Sequence, residues 1–332
     1  MRKALSLALG LTLGAALVPA AHAVDYRWLN SFDRNHDGVP NFVEPYIKAV
    51  ESASGGRIKF LVSGPETVPA FEQLQPVASG AFQFLFTHGS YHFGTTPLLA
   101  SVEALGGTRE QRKASGALEY IDQQYQKLGL KLVALPMTAQ GGYQMLLRKP
   151  PTANGDLQGF KLRGWPTVQP VMRMLGASMI VLPPAEIYTA LDKGVVDGFA
   201  YPSFGVLRSK LYEPTKYLLR PSFGFIANPV LANLNTWNRL SEADRKLLLT
   251  EAAKAEARWE NATSRIYSEE EKALISAGMQ VVQMGPQQQA SLQRTWSEGI
   301  WELASQKSKA QVDELRSIAR SKGIDGTTAA AR

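Results

Sequence analysis

Two hydrophobic periods alternate along the chain. Val24 to Leu29 alternates as a half-buried strand does, and Phe42 to Glu51 repeats its apolar positions at helical spacing until Gly55-Gly56. Arg57 to Val62 reads as a strand, Ala70 to Ser79 as a helix closed by Gly80, and Phe82 to Phe86 as a strand buried on both faces. This β-α-β-α-β rhythm predicts a mostly parallel, doubly wound sheet. Glu110 to Leu128 reads as one long helix stopped at Gly129, followed by strands at Leu130 to Leu135 and Tyr143 to Leu147.

The rhythm then restarts. Phe160-Lys161-Leu162 is a short strand, a helix-like segment follows, and Ser178 to Leu182, Pro184 to Lys193 and Val195 to Phe199 read as strand, helix and strand. Gly224 to Leu234 is a long apolar run that reads as one strand passing between domains. Ser241, with Asp244 three residues on, opens a helix predicted to reach about Ser276. Met279 to Met284 is a short strand, and Gln287 to Ser321 is mainly helical. Two such units joined by crossing segments predict a hinged, two-lobed shape.

Composition narrows the setting. Arg2 and Lys3, the apolar run Ala4 to Val18, Pro19 and Ala21-His22-Ala23 have the layout of a cleaved secretory signal. The apolar run is shorter than the roughly 20 residues that a membrane span requires. The mature chain is expected to begin at Val24 and to be soluble. The 332-residue chain has no cysteine, which excludes disulfides, thiolate metal sites, a cysteine nucleophile and a lipid-modified cysteine at the cleavage site. A freely diffusing periplasmic protein is the expectation. The formal charge of +7 is scattered rather than clustered, which argues against a nucleic-acid partner.

The candidate chemistry is that of binding. Arg163 ends the Phe160–Leu162 strand, and open α/β sheets hold ligands beyond the carboxyl ends of their strands. Its planar guanidinium can pair a carboxylate through two parallel hydrogen bonds. Asp33, Asn35, Asp37 and Glu44 match the spacing of a calcium loop. Against that reading, Pro40 lacks the N–H that such a loop uses, no helix precedes it and no second loop pairs with it. The plainer reading is a polar loop at the cleft rim. His88 and His92 are four apart in a glycine-bearing context without a zinc-protease glutamate, and no G-x-S-x-G, P-loop or G-x-G-x-x-G occurs. Enzyme chemistry is therefore not expected, and neither is a cofactor.

The stretches DLQGFKLR (Asp156 to Arg163), LGASMIVLPPAEIYTALDKGVVDG (Leu175 to Gly198) and LYEPTKYL (Leu211 to Leu218) resemble the solute-binding proteins of tripartite ATP-independent periplasmic (TRAP) transporters, of the C4-dicarboxylate-binding (DctP) type. Asp156, Gly159, Lys161, Arg163, Gly176, Glu186, Tyr188, Gly194, Asp197 and Gly198 carry the pattern, while Gln158 stands where a lysine is usual. The resemblance covers essentially the whole mature chain. It implies a two-lobed, type II-like periplasmic binding fold, with doubly wound mixed sheets joined by crossing strands and a long helix. Its lobes are expected mainly over 24–145 and 146–235, with 236–332 packing across both. It also implies an organic-acid ligand held by Arg163 and a membrane permease, driven by an ion gradient, that receives it.

Two departures shape the expected ligand. Gly141-Gly142-Tyr143 stands where many members have G-x-R, and Tyr201 stands where many have an asparagine that touches the carboxylate. Tyr143 and Tyr201 are thus expected to support Arg163, with Tyr91, Trp165, Phe204, Trp28 and Asn233 as further cleft candidates. With one matched arginine and many aromatic rings, the expected ligand is a monocarboxylate with an apolar or aromatic body. A C4-dicarboxylate or a sugar acid on the same fold stays open, as do a binding protein of an ATP-driven importer and a periplasmic enzyme on a similar scaffold. A monomer is expected.

Overall fold

The structure, a computed structural model, describes residues 24–138, 141–152 and 155–326. The expected leader, residues 1–23, lies outside the described residues. β1 (Val24–Asn30) leads through α1 (Glu44–Ala53) to β2 (Ile58–Ser63), and through α2 (Leu74–Ala78) to β3 (Phe84–Phe86); β1 runs parallel to both. Trp28 stacks on Phe84 at 5.7 Å, and the ring of Phe60 meets both edge-on, so this sheet's core is aromatic. Three helices follow, α3 (Leu98–Ser101), α4 (Arg109–Ala114) and α5 (Ala117–Gln126), before β4 (Leu130–Ala134).

The chain then crosses to a second sheet. β5 (Tyr143–Leu147), β6 (Lys161–Gly164), α6 (Gln169–Met174), β7 (Ser178–Val181), α7 (Ile187–Asp192), β8 (Gly198–Pro202) and β9 (Tyr217–Phe223) build it. It crosses back for β10 (Val230–Asn233), which inserts antiparallel between β3 and β4 and gives the order β2-β1-β3-β10-β4. α8 (Leu234–Arg239) and α9 (Glu242–Ser276) lead to β11 (Gln280–Gln283), which completes the order β11-β9-β5-β8-β6-β7, and α10 (Pro286–Ser321) ends the described chain. The fold is the two-lobed, mixed α/β architecture that the sequence predicts.

Two features tie the lobes. α9, about 52 Å long at 1.5 Å per residue, packs against α1 and β4 of the first lobe. Near its other end, Glu270 accepts hydrogen bonds from the N–H groups of Gly205 and Val206 in the second, both at 2.6 Å. The two crossing segments also pair with each other. Met137 bridges Ala227, Thr138 N–H donates to Ile226 O at 3.0 Å, and Asn228 N–H donates to Pro136 O at 3.1 Å. They pack closely enough that a Cβ on Gly142 would lie 2.3 Å from Gly224 O.

Three expected elements differ. The helix over Glu110 to Leu128 is two helices, because Gly116 adopts φ +85° and Ser115 Oγ bonds both Arg112 O and Ala117 N–H. The helix over Ala70 to Ser79 divides at Gln73, whose buried amide donates to Asn30 O and Val68 O. The single strand over Gly224 to Leu234 is a crossing segment followed by β10. The preceding strand, β9, escapes the pattern because it contains Arg220, which is buried against Gln144 and Glu271.

Candidate functional site

Arg163 is the third residue of β6, in register with Ile180 of β7 and Phe199 of β8. Its guanidinium reaches Leu182, just past the carboxyl end of β7, and Ala200, in the middle of β8. Nε donates to Leu182 O at 2.8 Å and Nη1 donates to Ala200 O at 3.2 Å. Those two carbonyls fix the group and leave Nη2 buried without a hydrogen-bond partner. The side chain is 1 % exposed and, among the described residues, forms no ion pair; beyond the two carbonyls, the Tyr91 and Tyr201 hydroxyls act on its charge. Burial pulls the guanidinium's pKa below its ordinary value. A buried cation without an anion is costly, so the arrangement favours an incoming anion.

The residues around it converge from both lobes on a cavity of about 30 Å³. Tyr91, His88, His36 and Phe32 come from the first lobe, Trp165, Pro184, Tyr201 and Tyr143, the first residue of β5, from the second, and Ile226 and Asn228 from the returning crossing segment. Arg163 lies 5.5 Å from the Trp165 ring centre, within cation–π range. Trp165 is itself held by its indole N–H, which donates to Thr167 Oγ1 at 2.8 Å. Burial raises the Tyr91 hydroxyl to about 12 and pushes Tyr143 and Tyr201 up as well, so all three act as neutral hydroxyls. A mouth of about 280 Å³ shares Phe32, His36, Pro184 and Tyr201 with this cavity and opens between Asp33–Asn35 and Glu186–Tyr188.

Five expected residues therefore meet in one place: Arg163, Tyr91, Tyr143, Trp165 and Tyr201. Three do not. Trp28 is fully buried in the first lobe's aromatic core. Phe204 packs edge-on against Trp259 of α9. Asn233 caps α8, its Oδ1 accepting from Thr236 N–H and its Nδ2 donating to Val77 O and Ala78 O. The possible calcium loop does not converge: Asp33 accepts from Asn35 N–H, and Asp37 faces Arg208 of the other lobe. Among the described residues no cluster of three metal-ligating side chains forms.

Sequence reasoning missed a polar group behind the cavity. Glu103, 1 % exposed, accepts on Oε1 from the Tyr143 hydroxyl, from His88 Nε2 at 3.1 Å and from Ala227 N–H at 3.2 Å. Its other oxygen, Oε2, is buried without a partner. His88 Nδ1 accepts from Ser90 N–H, which places the imidazole proton on Nε2. Asn228 was also missed, and its Oδ1 is buried and unpartnered. No local signal marks either residue, because each acquires its role through contacts across the fold.

Comparison with known proteins agrees with this geometry. The sequence profile of the bacterial extracellular solute-binding proteins, family 7 (DctP), matches residues 34–307. The chain is similar to the monocarboxylate 2-oxoacid-binding periplasmic protein of Nostoc sp., at 28% identity over 258 residues, 72% of this chain and 68% of the relative. Its fold is that of a Bordetella pertussis extracytoplasmic solute receptor, DctP7, crystallised with pyroglutamic acid (TM-score 0.77, 20% identity, covering 90% of this chain and 100% of that one). A TRAP solute-binding protein from Bordetella bronchiseptica, with copurified calcium and picolinate, superposes at TM-score 0.79 with 19% identity, covering 91% and 92%. The chain belongs to the family 7 extracellular solute-binding proteins, the DctP family of TRAP solute receptors.

Proposed function

We propose that this chain is the periplasmic receptor of a TRAP system and that it captures a small monocarboxylate with an apolar or aromatic body. One observation carries the reading: Arg163 is buried, held by two carbonyls, and keeps one donor free among aromatic walls. The carboxylate pairs with that donor and with the Tyr91 and Tyr201 hydroxyls. Trp165 and Tyr143 pack on the body of the acid. The cavity as it stands has room for a water or two, so the lobes part to admit the acid and close over it. The loaded form is what the ion-gradient-driven permease receives. The pyroglutamate, picolinate and 2-oxo acid bound by the compared proteins are all small monocarboxylates.

The test is a thermal-shift screen of residues 24–332 against aliphatic, aromatic and dicarboxylic acids, with and without calcium. A ligand that binds only the folded chain raises the melting temperature by mass action. One class of monocarboxylate should raise it. Arg163→Lys should weaken that acid by about 10- to 100-fold, the range expected for losing a charge-assisted hydrogen bond. Tight succinate binding with no response to aromatic acids would refute the monocarboxylate reading.

A further inference from the structure

We propose that the captured acid also carries a hydrogen-bond donor, an N–H or O–H, that reaches Oδ1 of Asn228, so that Asn228 selects donor-bearing monocarboxylates over 2-oxo acids and dicarboxylates. The proposal rests on Arg163 as the carboxylate anchor and adds the second polar contact.

Two cavity-lining side chains bury a polar atom without a partner, and they are of opposite kind. Arg163 Nη2 is a cationic donor. Asn228 Oδ1 is a neutral acceptor, on a residue only 2 % exposed. Asn228 is fixed in the crossing segment by its own N–H on Pro136 O. Leaving a buried acceptor unmade costs more than an average hydrogen bond gains, so a ligand that satisfies it is favoured.

The surroundings have the same sign. Ala227, next to Asn228, donates its N–H to the buried Glu103 carboxylate. The Tyr143 hydroxyl proton is spent on that carboxylate, and the His88 Nε2 proton is shared between the Tyr143 hydroxyl oxygen at 2.8 Å and the carboxylate at 3.1 Å. Neither proton is left for a ligand oxygen. A keto oxygen or second carboxylate here would meet a lone carbonyl oxygen backed by an anion. An N–H or O–H would meet an acceptor.

Isothermal titration of the processed chain, stripped of copurified ligand by unfolding and refolding, tests this with matched pairs. One pair is 5-oxoproline and 5-oxotetrahydrofuran-2-carboxylate, which differ by ring N–H against ring O. The other is 2-hydroxy-3-phenylpropanoate and 2-oxo-3-phenylpropanoate, with succinate as the dicarboxylate. The donor-bearing member of the better-binding pair should bind at least tenfold tighter. Asn228→Leu should remove that preference by weakening the donor-bearing member alone. Equal affinities, or binding confined to 2-oxo acids or succinate, would overturn the role of Asn228 and leave the Arg163 anchor standing. Should no acid bind at all, the anchor itself fails and this proposal fails with it. The unaltered chain decides the question even if Asn228→Leu does not fold.

Discussion

His36 and His92 are buried histidines that the fold keeps neutral. His36 stacks on Phe32 at 3.9 Å and His92 bonds Thr87; burial, reinforced by His88 nearby, lowers them to about 3 and about 4. In the unfolded chain both titrate near 6.5. Above that pH neither state holds the proton, and their contribution to stability is whole. As the pH falls below 6.5, only the unfolded chain takes up protons, so stability drops by up to about 1.4 kcal/mol per pH unit per histidine. Burial raises Asp37 and Glu270, and these work in the opposite sense, gaining stability as the pH falls. The diagnostic is therefore a difference. Urea unfolding of the parent and of His36→Gln at pH 7.5 and 5 should show a smaller acid loss in the variant, by about 2 kcal/mol. Equal losses would mean that His36 is protonated in the fold. The same burial limits what a sequence shows of single residues. Arg163 was legible because a motif and a strand end mark it. Trp28 and Asn233 were misplaced because a strand end looks the same whether it faces a cleft or a core. Glu103 and Asn228 carry no local mark at all.

Elements were legible where periodicity and stop signals agree. Ser241 caps α9 through Asp244 N–H at 3.0 Å, and β6 and β7 lie within two residues of their expected ranges, while β8 (Gly198–Pro202) begins three residues later than the expected Val195 to Phe199 strand. The misreadings come from residues that act against their surroundings. From Glu110 to Leu128 helix-forming residues dominate, and only Ser115-Gly116 marks the break. Gly116 opens α5 at φ +85° with nothing near the place of a Cβ, so an alanine there meets backbone strain and no clash. Gly116→Ala should cost about 1–2 kcal/mol, the price of a left-handed L-residue. The urea midpoint should fall with the m-value unchanged. An unchanged or higher midpoint would mean that α4 and α5 can merge into the continuous helix that the pattern predicted.

Across the whole molecule, closure depends on contacts between residues far apart in sequence. Ser90 and Thr167 share a hydrogen bond at 3.0 Å across the lobes, and Arg208 Nε meets Asp37 Oδ1 at 3.1 Å. The Arg208 side chain is half-exposed, and a pair of that kind is worth little by itself. Its importance comes from Asp37, which is only 5 % exposed and lies in the repulsive field of the buried Glu270 carboxylate. Without Arg208, the closed form keeps two buried carboxylates and loses the cation paired with Asp37, leaving Arg265, which faces Glu269, in the same groove; lobe separation returns Asp37 to water. Arg208→Ala should therefore shift the ligand-free chain toward the open form. Small-angle scattering would record a larger radius of gyration that ligand restores. Affinity for the acid should fall several-fold, up to about tenfold, because binding must then work against the open population. Glu270 also holds the N–H groups of Gly205 and Val206, so Glu270→Gln in the same background tests the repulsion. It removes one charge but leaves a single acceptor oxygen for the N–H groups of Gly205, Val206 and Leu207, so any recovery of closure is gained against the loss of at least one of these hydrogen bonds. A scattering curve and affinity unaffected by Arg208→Ala would show that the Arg208–Asp37 pair does not hold the lobes together.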